Sequence, residues 1–221
     1  MKDCAKERDI SANHSLDHEM KLWREGLKKV AGIDEAGRGS LLGSVVAAAV
    51  ILPQGTFIDG VRDSKTLSAK KREALYEVIV DASLAWGIGV VDEAMIDKIN
   101  IKQATRLAMR LAVKDLSVRA DHLLVDAETI PIAIPQTKLI HGDAISHSIS
   151  CASIIAKVTR DRMCMLWHDK FPEYGIARNK GYCTREHLEA LLAHGPCPIH
   201  RKSFTRKLLM KHSNLTLDLD M

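Results

Sequence analysis

The sequence lacks features that would assign it to a membrane, secreted or repeat class. No apolar run among its 221 residues approaches the length needed to span a bilayer, and the first 20 residues are charged throughout. We therefore expect no membrane segment, no secretory signal and a cytoplasmic location. The chain also has no internal repeat and no low-complexity segment, which argues against a solenoid or a biased, disordered tract.

Cysteine pairs are missing as well. The five cysteines are odd in number, and none stands in a Cys-x-x-Cys spacing: Cys4, Cys151, Cys164, Cys183 and Cys197. This pattern predicts reduced, structural thiols and argues against a zinc site.

Composition and charge indicate a globular chain with a polyanionic ligand. A mass of 24.5 kDa and 46% hydrophobic residues fit one domain, with or without an appendage. The net charge is +4, but it is unevenly distributed. From Cys151 onward 12 Lys and Arg face 7 Asp and Glu, whereas the preceding 150 residues carry 20 against 21. A basic last third suits a nucleic acid, although an ordinary solvated basic surface is the competing interpretation.

The stretch from Lys28 to Leu52 organises the rest of the chain. A short apolar run ends abruptly in Asp34 and Glu35, and a turn of small residues follows. An uninterrupted apolar run then extends from Val45 to Leu52. The pattern predicts two buried strands joined by a glycine-rich turn. Carboxylates beside a buried strand are costly to desolvate unless a cation pairs with them, whereas an exposed Asp-Glu pair would be solvated and without function.

The remaining pattern alternates helices and strands. It predicts helices over 17–29, from a Ser68 cap through 80, 92–113 with a break near Asn100, 146–168, 185–194 and 203–212. Further strands are predicted over 85–91, 121–126 and 137–140. Three early strands followed by this alternation indicate an α/β sheet with helices on its faces.

Acidic residues recur at the ends of these elements. Asp126 ends a strand, and Asp143 precedes a helix, where a lone Asp would ordinarily be an N-cap. If strand ends converge on one crevice, such carboxylates repel one another unless divalent cations neutralise them. Oxygen ligands favour Mg²⁺ or Mn²⁺. Two such ions ~3.5–4 Å apart can activate a water and stabilise the leaving oxygen of a phosphodiester.

Several motifs stand in the order found in one enzyme family. They are VAGIDEAGRG at 30–39, DSK at 63–65, VD at 125–126, HGDAIS at 141–146, ASIIAKVTRDR at 152–162, NKGY at 179–182 and GPCPIHRKSF at 195–204. Over roughly residues 28–204 the chain resembles bacterial ribonuclease HII. The resemblance implies an RNase H-like fold, a mixed five-stranded sheet flanked by helices with a C-terminal helical segment. It divides the chain into an N-terminal extension (1–27), a catalytic domain (28–170) and a basic C-terminal segment and tail (171–221).

The resemblance also implies an activity and its metal ligands. The activity is endonucleolytic hydrolysis of RNA in RNA–DNA hybrids, including single ribonucleotides embedded in duplex DNA. The four acidic metal ligands of the family fall on Asp34, Glu35, Asp126 and Asp143. Two divalent ions, Mn²⁺ or Mg²⁺, are implied, and a monomer is expected.

The family's glycine-arginine-glycine turn corresponds to Gly37, Arg38 and Gly39, and its junction-sensing tyrosine to Tyr182. The backbone of such a turn can approach a 2′-OH closely, and that hydroxyl distinguishes RNA from DNA. An aromatic ring in a basic loop can stack on sugars and bases, although ordinary packing would also account for it.

Four further residues are expected to bind phosphates. Ser64 and Lys65, just before a helix, suit a phosphate as donor and point charge. Lys157 and Arg160 stand three apart on one helix, so they share a face and could follow the nucleic-acid backbone. The alternative for this pair is a solvated helix face.

Some positions depart from the common family pattern. They are Ser40 and Ser44, where proline or a small residue is frequent; Ala127-Glu128 for Gly-Asn; His141 for Lys; Cys151 for Ala; and Asn179 for His. None of them is a metal ligand. The added anion at Glu128 and the lost cation at His141 are expected to change metal or duplex affinity.

Two other functions fit parts of the pattern. One is a resolvase or transposase on an RNase H-like scaffold, with similar carboxylates and a DNA junction as substrate. The other is a basic nucleic-acid-binding module whose acidic residues only cap helices and turns. The glycine turn together with Tyr182 argues against the resolvase, because an RNA-reading enzyme needs a 2′-OH sensor. A binding module would bind duplexes without cleaving them in Mn²⁺.

Overall fold

The computed structural model describes residues 15–62 and 64–217. Its strands are β1 (Val30–Ala36), β2 (Val45–Ile51), β3 (Ala85–Val91), β4 (His122–Asp126) and β5 (Gln136–Leu139). Its helices are α1 (Asp17–Arg24), α2 (Ala69–Ala82), α3 (Glu93–Ile99), α4 (Ile101–Asp115), α5 (Gly142–Ile145), α6 (His147–Lys170), α7 (Ile176–Asn179), α8 (Arg185–His194) and α9 (Lys202–Leu217). Two short 3₁₀ turns lie at Ser64–Thr66 and Pro172–Tyr174.

The five strands form one mixed sheet in the order β3-β2-β1-β4-β5. β2 pairs antiparallel with β1 and β3, whereas β4 is parallel to both β1 and β5. The carboxyl ends of β1, β4 and β5 therefore meet at one edge of the sheet. This topology confirms the predicted α/β class and the mixed five-stranded sheet.

Helices cover both faces of the sheet. One core lies between α4 and strands β1 to β3, and a second lies between β2, α2 and α6. β2 is buried along its whole length, which explains its continuous apolar sequence. Gly32 in β1 allows α6 to approach closely, since a Cβ there would lie 2.1 Å from the carbonyl carbon of Ser148. This contact brings the first turns of α6 against the middle of β1.

Local sequence signals account for several element ends. Ser68 caps α2 by accepting a hydrogen bond from the N–H of Lys71. Asn100 has a φ of 67° and caps α4 through Gln103, so the predicted break of the long helix is confirmed. The first predicted helix ends earlier than expected, at Arg24. The sequence also predicts an apolar helical stripe of Leu75, Val78 and Ile79. Leu75 and Ile79 of α2 are buried, but Val78 is 47% exposed, so that part of the prediction is wrong.

Side-chain carboxylates join the two ends of the chain to the central domain. Glu19 of α1 is buried and accepts hydrogen bonds from the Ser146 hydroxyl (2.6 Å) and the Ser148 N–H (2.9 Å). Asp97 of α3 accepts from the N–H groups of Lys202 (2.8 Å) and Ser203 (2.9 Å). These contacts cross the predicted boundaries near residues 27 and 170, and the division into segments stays a prediction.

The structure also bears on the predicted absences. Within residues 15–62 and 64–217 no helix is long and apolar enough to cross a membrane. The four cysteines in that part of the chain are free thiols, as predicted: Cys151, Cys164, Cys183 and Cys197. Cys4 lies outside the described residues.

Candidate active site

Three predicted metal ligands meet at the edge where the parallel strands end. Ile33 of β1 pairs with Val125 of β4, so Asp34 and Asp126 come next in register on neighbouring strands. One carboxylate oxygen each from Asp34, Glu35 and Asp126 lies within 4.8 Å of the others. The parallel pairing of β1 and β4 thus produces the carboxylate cluster, which we define as these three residues.

The fourth predicted ligand, Asp143, lies beside this cluster but does not belong to it. It stands in the first turn of α5, directly after β5, and its carboxylate forms an ion pair with Lys65 Nζ at 2.7 Å. The N–H of Gly142 donates to Asp126 Oδ1 at 2.6 Å, which holds α5 against β4. α6 is capped by Ser146, so the alternative reading of Asp143 as a helix cap does not apply.

Burial makes the cluster electrostatically unfavourable when its carboxylates are ionised. Burial, followed by repulsion from Glu35 and Asp126, raises the pKa of Asp34 well above its usual value. Burial also raises the pKa of Glu35 to about 7, although Arg38 opposes the shift. The pKa of Asp126 is raised by burial as well. Positive charge brought among these oxygens would favour the ionised forms of all three.

The donor set fits a hard divalent cation. All donors are carboxylate oxygens, and Glu35 Oε2 is buried without a hydrogen-bond partner among the described residues. Buried, unpartnered carboxylate oxygen is costly, and metal coordination removes that cost. Oxygen-only donors favour Mg²⁺ or Mn²⁺ over zinc. Asp34, Glu35 and Asp126 could therefore hold such an ion, with Asp143 close to Asp126.

A charged network links the cluster to Glu128. Arg38 lies 3.5 Å from Glu35 and 3.2 Å from Glu128, and Arg106 of α4 lies 3.0 Å from Glu128. Glu128 is buried, so its charge is balanced by two guanidinium groups rather than by solvent. The extra anion that the sequence shows at this position is therefore neutralised within the protein, and Arg38 is shared between the two carboxylates.

The glycine turn and Tyr182 line the same cleft as the cluster. The cleft has a volume of about 210 Å³ and is lined by Asp34, Glu35, Ala36, Gly37, Arg38, Gly39, Ser64, Lys65, Asp126, Ser153, Lys157 and Tyr182. Gly37 has a φ of 91°, and a Cβ there would lie 1.9 Å from Arg160 Nε, so no other residue fits. A Cβ on Gly39 would approach Cε1 of Tyr182 at 3.9 Å, which shows how near the ring stands to the turn.

A larger hollow of about 640 Å³ contains none of the predicted site residues. It is lined instead by residues from the α1–β1 connection and from the segments around β4, including Lys28, Arg119 and Asp121. The chemistry of the side chains, rather than the size of the cavity, therefore identifies the smaller cleft as the candidate site.

Ser153 joins the site although no separate sequence signal indicates it. Its hydroxyl lies 2.9 Å from the Ser64 hydroxyl, and its hydrogen bond to Asp34 opposes the rise in the pKa of Asp34. Ser64 is buried and lines the cleft, and its side chain contacts Ser153 on α6. Ser153 lies within the ASIIAKVTRDR motif, and that motif was the only available signal. Asp63, the first residue of the DSK motif, lies outside the described residues.

The predicted pair on α6 separates into two environments. Lys157 lines the cleft, forms an ion pair with Asp161 at 2.6 Å and stands 6.0 Å from the Tyr182 ring centroid. Arg160 is fully buried and donates to the carbonyls of Ser44 (3.1 Å) and Lys180 (2.9 Å). The prediction that Arg160 follows a nucleic-acid backbone is therefore wrong, because a buried guanidinium has no surface for a phosphate.

Comparison with known proteins agrees with this geometry. The family model described as Ribonuclease HII matches residues 31–207, which include every element of the cleft. The chain belongs to the ribonuclease HII family. It is 53% identical over 201 residues to the ribonuclease HII of Alkaliphilus oremlandii, covering 88% of this chain and 99% of that one. It is 55% identical over 197 residues to the Geobacter metallireducens protein of the same name, covering 89% and 92%.

A solved relative shows the same fold. The crystal structure of ribonuclease H2 from Pyrococcus horikoshii OT3 is 27% identical, with a TM-score of 0.70, and the match covers 83% of this chain and 98% of that one. Membership of the ribonuclease HII family makes the chain a metal-dependent endonuclease with RNase H activity on RNA–DNA hybrids.

The structure places two departures from the ribonuclease HII pattern, and its contacts explain the one at Asn179. Asn179 is buried, donates to the Tyr174 carbonyl at 2.7 Å and accepts from the Gly181 N–H at 2.8 Å, so it shapes the loop before Tyr182. His141 has a φ of 55° at the start of α5 and makes no side-chain cap. Neither residue touches the carboxylate cluster.

Proposed function

We propose that this member of the ribonuclease HII family incises duplex DNA on the 5′ side of a single embedded ribonucleotide, besides cleaving the RNA strand of hybrids. The observation that carries the proposal is that one cleft contains the carboxylate cluster, the Gly37–Gly39 turn and Tyr182. A carboxylate cluster alone would suit many nucleases. A close-fitting glycine turn facing an aromatic ring adds the means to recognise a sugar.

The chain's own residues divide the work. Asp34, Glu35, Asp126 and Asp143 are proposed to hold two Mg²⁺ or Mn²⁺ ions. Such ions, when bound, supply an activated water and stabilisation of the leaving 3′ oxygen, which gives 3′-OH and 5′-phosphate products. Because the carboxylates must be ionised to bind metal, binding releases the protons that burial favours on Asp34 and Glu35.

Recognition of the sugar is assigned to the turn and the tyrosine. The backbone of Gly37–Gly39 is proposed to contact the ribose 2′-OH, and Tyr182, 39% exposed, to stack on the following deoxyribose. The cleft then recognises a ribose that is followed by a deoxyribose. This recognition places the scissile bond on the 5′ side of the ribonucleotide. Lys65 and Lys157 at the rim, and Ser64 in the wall of the cleft, are proposed to contact phosphates. A cytoplasmic location and a monomeric state stay predictions.

A duplex with one ribonucleotide tests the proposal directly. End-labelled duplexes with one ribonucleotide or none are incubated with Mg²⁺ or Mn²⁺, and the cut is mapped on a sequencing gel. We expect one cut 5′ of the ribonucleotide, none in the all-DNA duplex, and none with Asp126→Asn, which should still fold and bind the duplex. A cut on the 3′ side, or cleavage of the all-DNA duplex, would contradict the proposed recognition.

A further inference from the structure

A fully buried arginine from the C-terminal segment lies directly behind the glycine turn. Arg201 donates through Nη2 to the carbonyl of Gly37 (2.7 Å), through Nη1 to that of Arg38 (3.0 Å) and through Nε to that of Gly43 (2.9 Å). Its side chain is 0% exposed. All three nitrogens of one guanidinium are therefore bonded to the backbone of the loop between β1 and β2.

The charge of Arg201 is not explained by an ion pair. No carboxylate in the described part of the chain lies within ion-pair distance of it. Burial, with a contribution from nearby Arg160, lowers the pKa of its guanidinium to about 9. A buried, unpaired cation costs stability, and apolar replacements of buried charges are often more stable. The planar group does provide three hydrogen bonds in one fixed geometry.

These bonds determine which way the peptide N–H groups of the turn point. In a trans peptide the carbonyl and the following N–H lie on opposite sides of the chain. With the carbonyls of Gly37 and Arg38 held against Arg201, the N–H groups of Arg38 and Gly39 point away from it. Within residues 15–62 and 64–217 neither N–H donates to another residue. The turn lines the cleft, so two donors are available to an oxygen bound there.

We propose that Arg201 is a positioning residue for ribose recognition, because it orients the N–H groups of Arg38 and Gly39 toward the 2′ oxygen. This inference rests on the proposed function. Arg201 does not touch the sugar itself. It acts through the peptide planes of the turn, so its removal should impair the choice of sugar more than metal binding.

Several contacts around Arg201 fix its position relative to the glycine turn. Its own N–H donates to the Leu41 carbonyl at 2.9 Å, and the Phe204 ring centroid lies 5.3 Å from its guanidinium carbon. Asp97 binds the N–H groups of Lys202 and Ser203 just after it. The C-terminal segment therefore contributes to the cleft through Arg201, without lining the cleft at this point.

Selectivity between two sugars tests the role. Single-turnover rates are measured on duplexes containing either one ribonucleotide or one 2′-deoxy-2′-fluoro nucleotide, which has no hydroxyl and is a poor acceptor. We expect the ribose-to-fluoro rate ratio of Arg201→Lys to fall about 10- to 100-fold, since lysine cannot bond all three carbonyls and displacements of about 1 Å cost such factors. Mn²⁺ affinity, measured by calorimetry, should stay within about twofold of wild type.

Arg72→Lys is the control, because the largely buried Arg72 also donates to backbone carbonyls, those of Ser64 and Leu67, and to none within Gly37–Gly39. Its rate ratio should stay within about threefold of wild type. An unchanged ratio in Arg201→Lys, or equal losses in both variants, would overturn the inference. A wild-type enzyme that does not distinguish the sugars would instead overturn the proposed function. If Arg201→Lys does not fold, Phe204→Leu replaces it: a lowered ratio supports the role and an unchanged ratio overturns it.

Discussion

At the scale of single residues, the cleft combines groups that are unfavourable in the metal-free protein. Glu35 has a pKa of about 7 and Asp34 a strongly raised one, chiefly because both are buried. A raised pKa means that the folded state holds protons that the unfolded state releases. Rising pH therefore favours unfolding until these groups are ionised in both states. The same carboxylates, once ionised, are the ones that suit a divalent ion.

This linkage predicts that Glu35→Gln stabilises the metal-free enzyme above pH 7. The free energy of unfolding of wild type should fall between about pH 4.5 and 7, because the pKa of Glu35 rises from 4.5 to about 7 on folding. Glutamine at position 35 does not titrate, so the variant should be more stable than wild type at pH 8 by at most about 3 kcal/mol in the free energy of unfolding. Urea unfolding in EDTA at pH 5 and pH 8 measures this difference. Glu173→Gln, an exposed control in the turn after α6, should show no pH-dependent gain. Equal stability of Glu35→Gln and wild type at pH 8 would contradict the prediction.

Tyr182 carries a second prediction at this scale. Tyr182→Ala should lose most activity on a single embedded ribonucleotide, since stacking contributes roughly 1–3 kcal/mol, or about 5- to 150-fold. It should still bind Mn²⁺, because the ring touches no carboxylate of the cluster. Tyr182→Phe keeps the ring and should retain most of the rate. The measurement is kcat/KM on the embedded substrate, with calorimetry for the metal. An alanine variant as active as wild type would refute the stacking role.

At the scale of elements, the strands and helix breaks followed from local pattern. Short stretches of sequence predicted the apolar run of β2, the cap at Ser68 and the break at Asn100, and the structure agrees with them. The convergence of Asp34 and Asp126 needed one more fact, the parallel pairing of β1 and β4. Local pattern does not show that pairing, so the ligand set could be predicted only through the resemblance to ribonuclease HII.

Contacts between distant segments could not be predicted in the same way. Helical spacing gave Lys157 and Arg160 a common face, but α6 is buried over most of its first half, and the face does not say which residue reaches the cleft. Ser153 bonds Ser64 from 89 residues away, and Arg201 bonds Gly37 from 164 residues away. Local periodicity carries no information on such pairs. Identifying them requires the packed tertiary structure.

The contact between Glu128 and the β1–β2 turn leads to a prediction about metal affinity. Glu128 holds Arg38 away from full pairing with Glu35. In Glu128→Gln, Arg38 should move toward Glu35 and compete with the cation, weakening Mn²⁺ binding about 3- to 10-fold. Calorimetric titration of Mn²⁺ measures the change. Glu173→Gln, in the 3₁₀ turn after α6, is an acidic control that should leave the affinity unchanged. Unchanged or tighter binding in Glu128→Gln would show that Glu128 does not govern Arg38.

At the scale of the whole molecule, basic side chains extend outward from the carboxylate cluster. Lys65 and Lys157 line the cleft, and Lys157 also lines a neighbouring hollow of about 320 Å³. The basic residues of that hollow are Arg72, Lys157, Arg162, Arg178 and Lys180. Four of the 12 Lys and Arg counted from Cys151 onward therefore stand at or beside the cleft: Lys157, Arg162, Arg178 and Lys180. Glu73 and Asp161 also line the hollow, so its five basic residues exceed its acidic ones by three. An excess of cations beside an acidic cluster suits a substrate that binds by its phosphates.

The salt dependence of binding tests which of these cations meet phosphates. In metal-free buffer, where no cleavage occurs, Lys65→Gln and Lys157→Gln should each make the slope of log affinity against log salt shallower by about 1. Lys65 is expected to exchange its contact with Asp143 for a phosphate, since its side chain is 76% exposed. Lys114→Gln, exposed at the end of α4 away from the cleft, should leave the slope unchanged.

Because loss of a phosphate contact weakens binding alike on all sequences, the two cleft variants should also lose affinity equally for hybrids and for embedded ribonucleotides. A slope equal to wild type in both would mean that Asp143 and Asp161 keep these lysines in the complex, and that the duplex is held by the arginines of the neighbouring hollow instead.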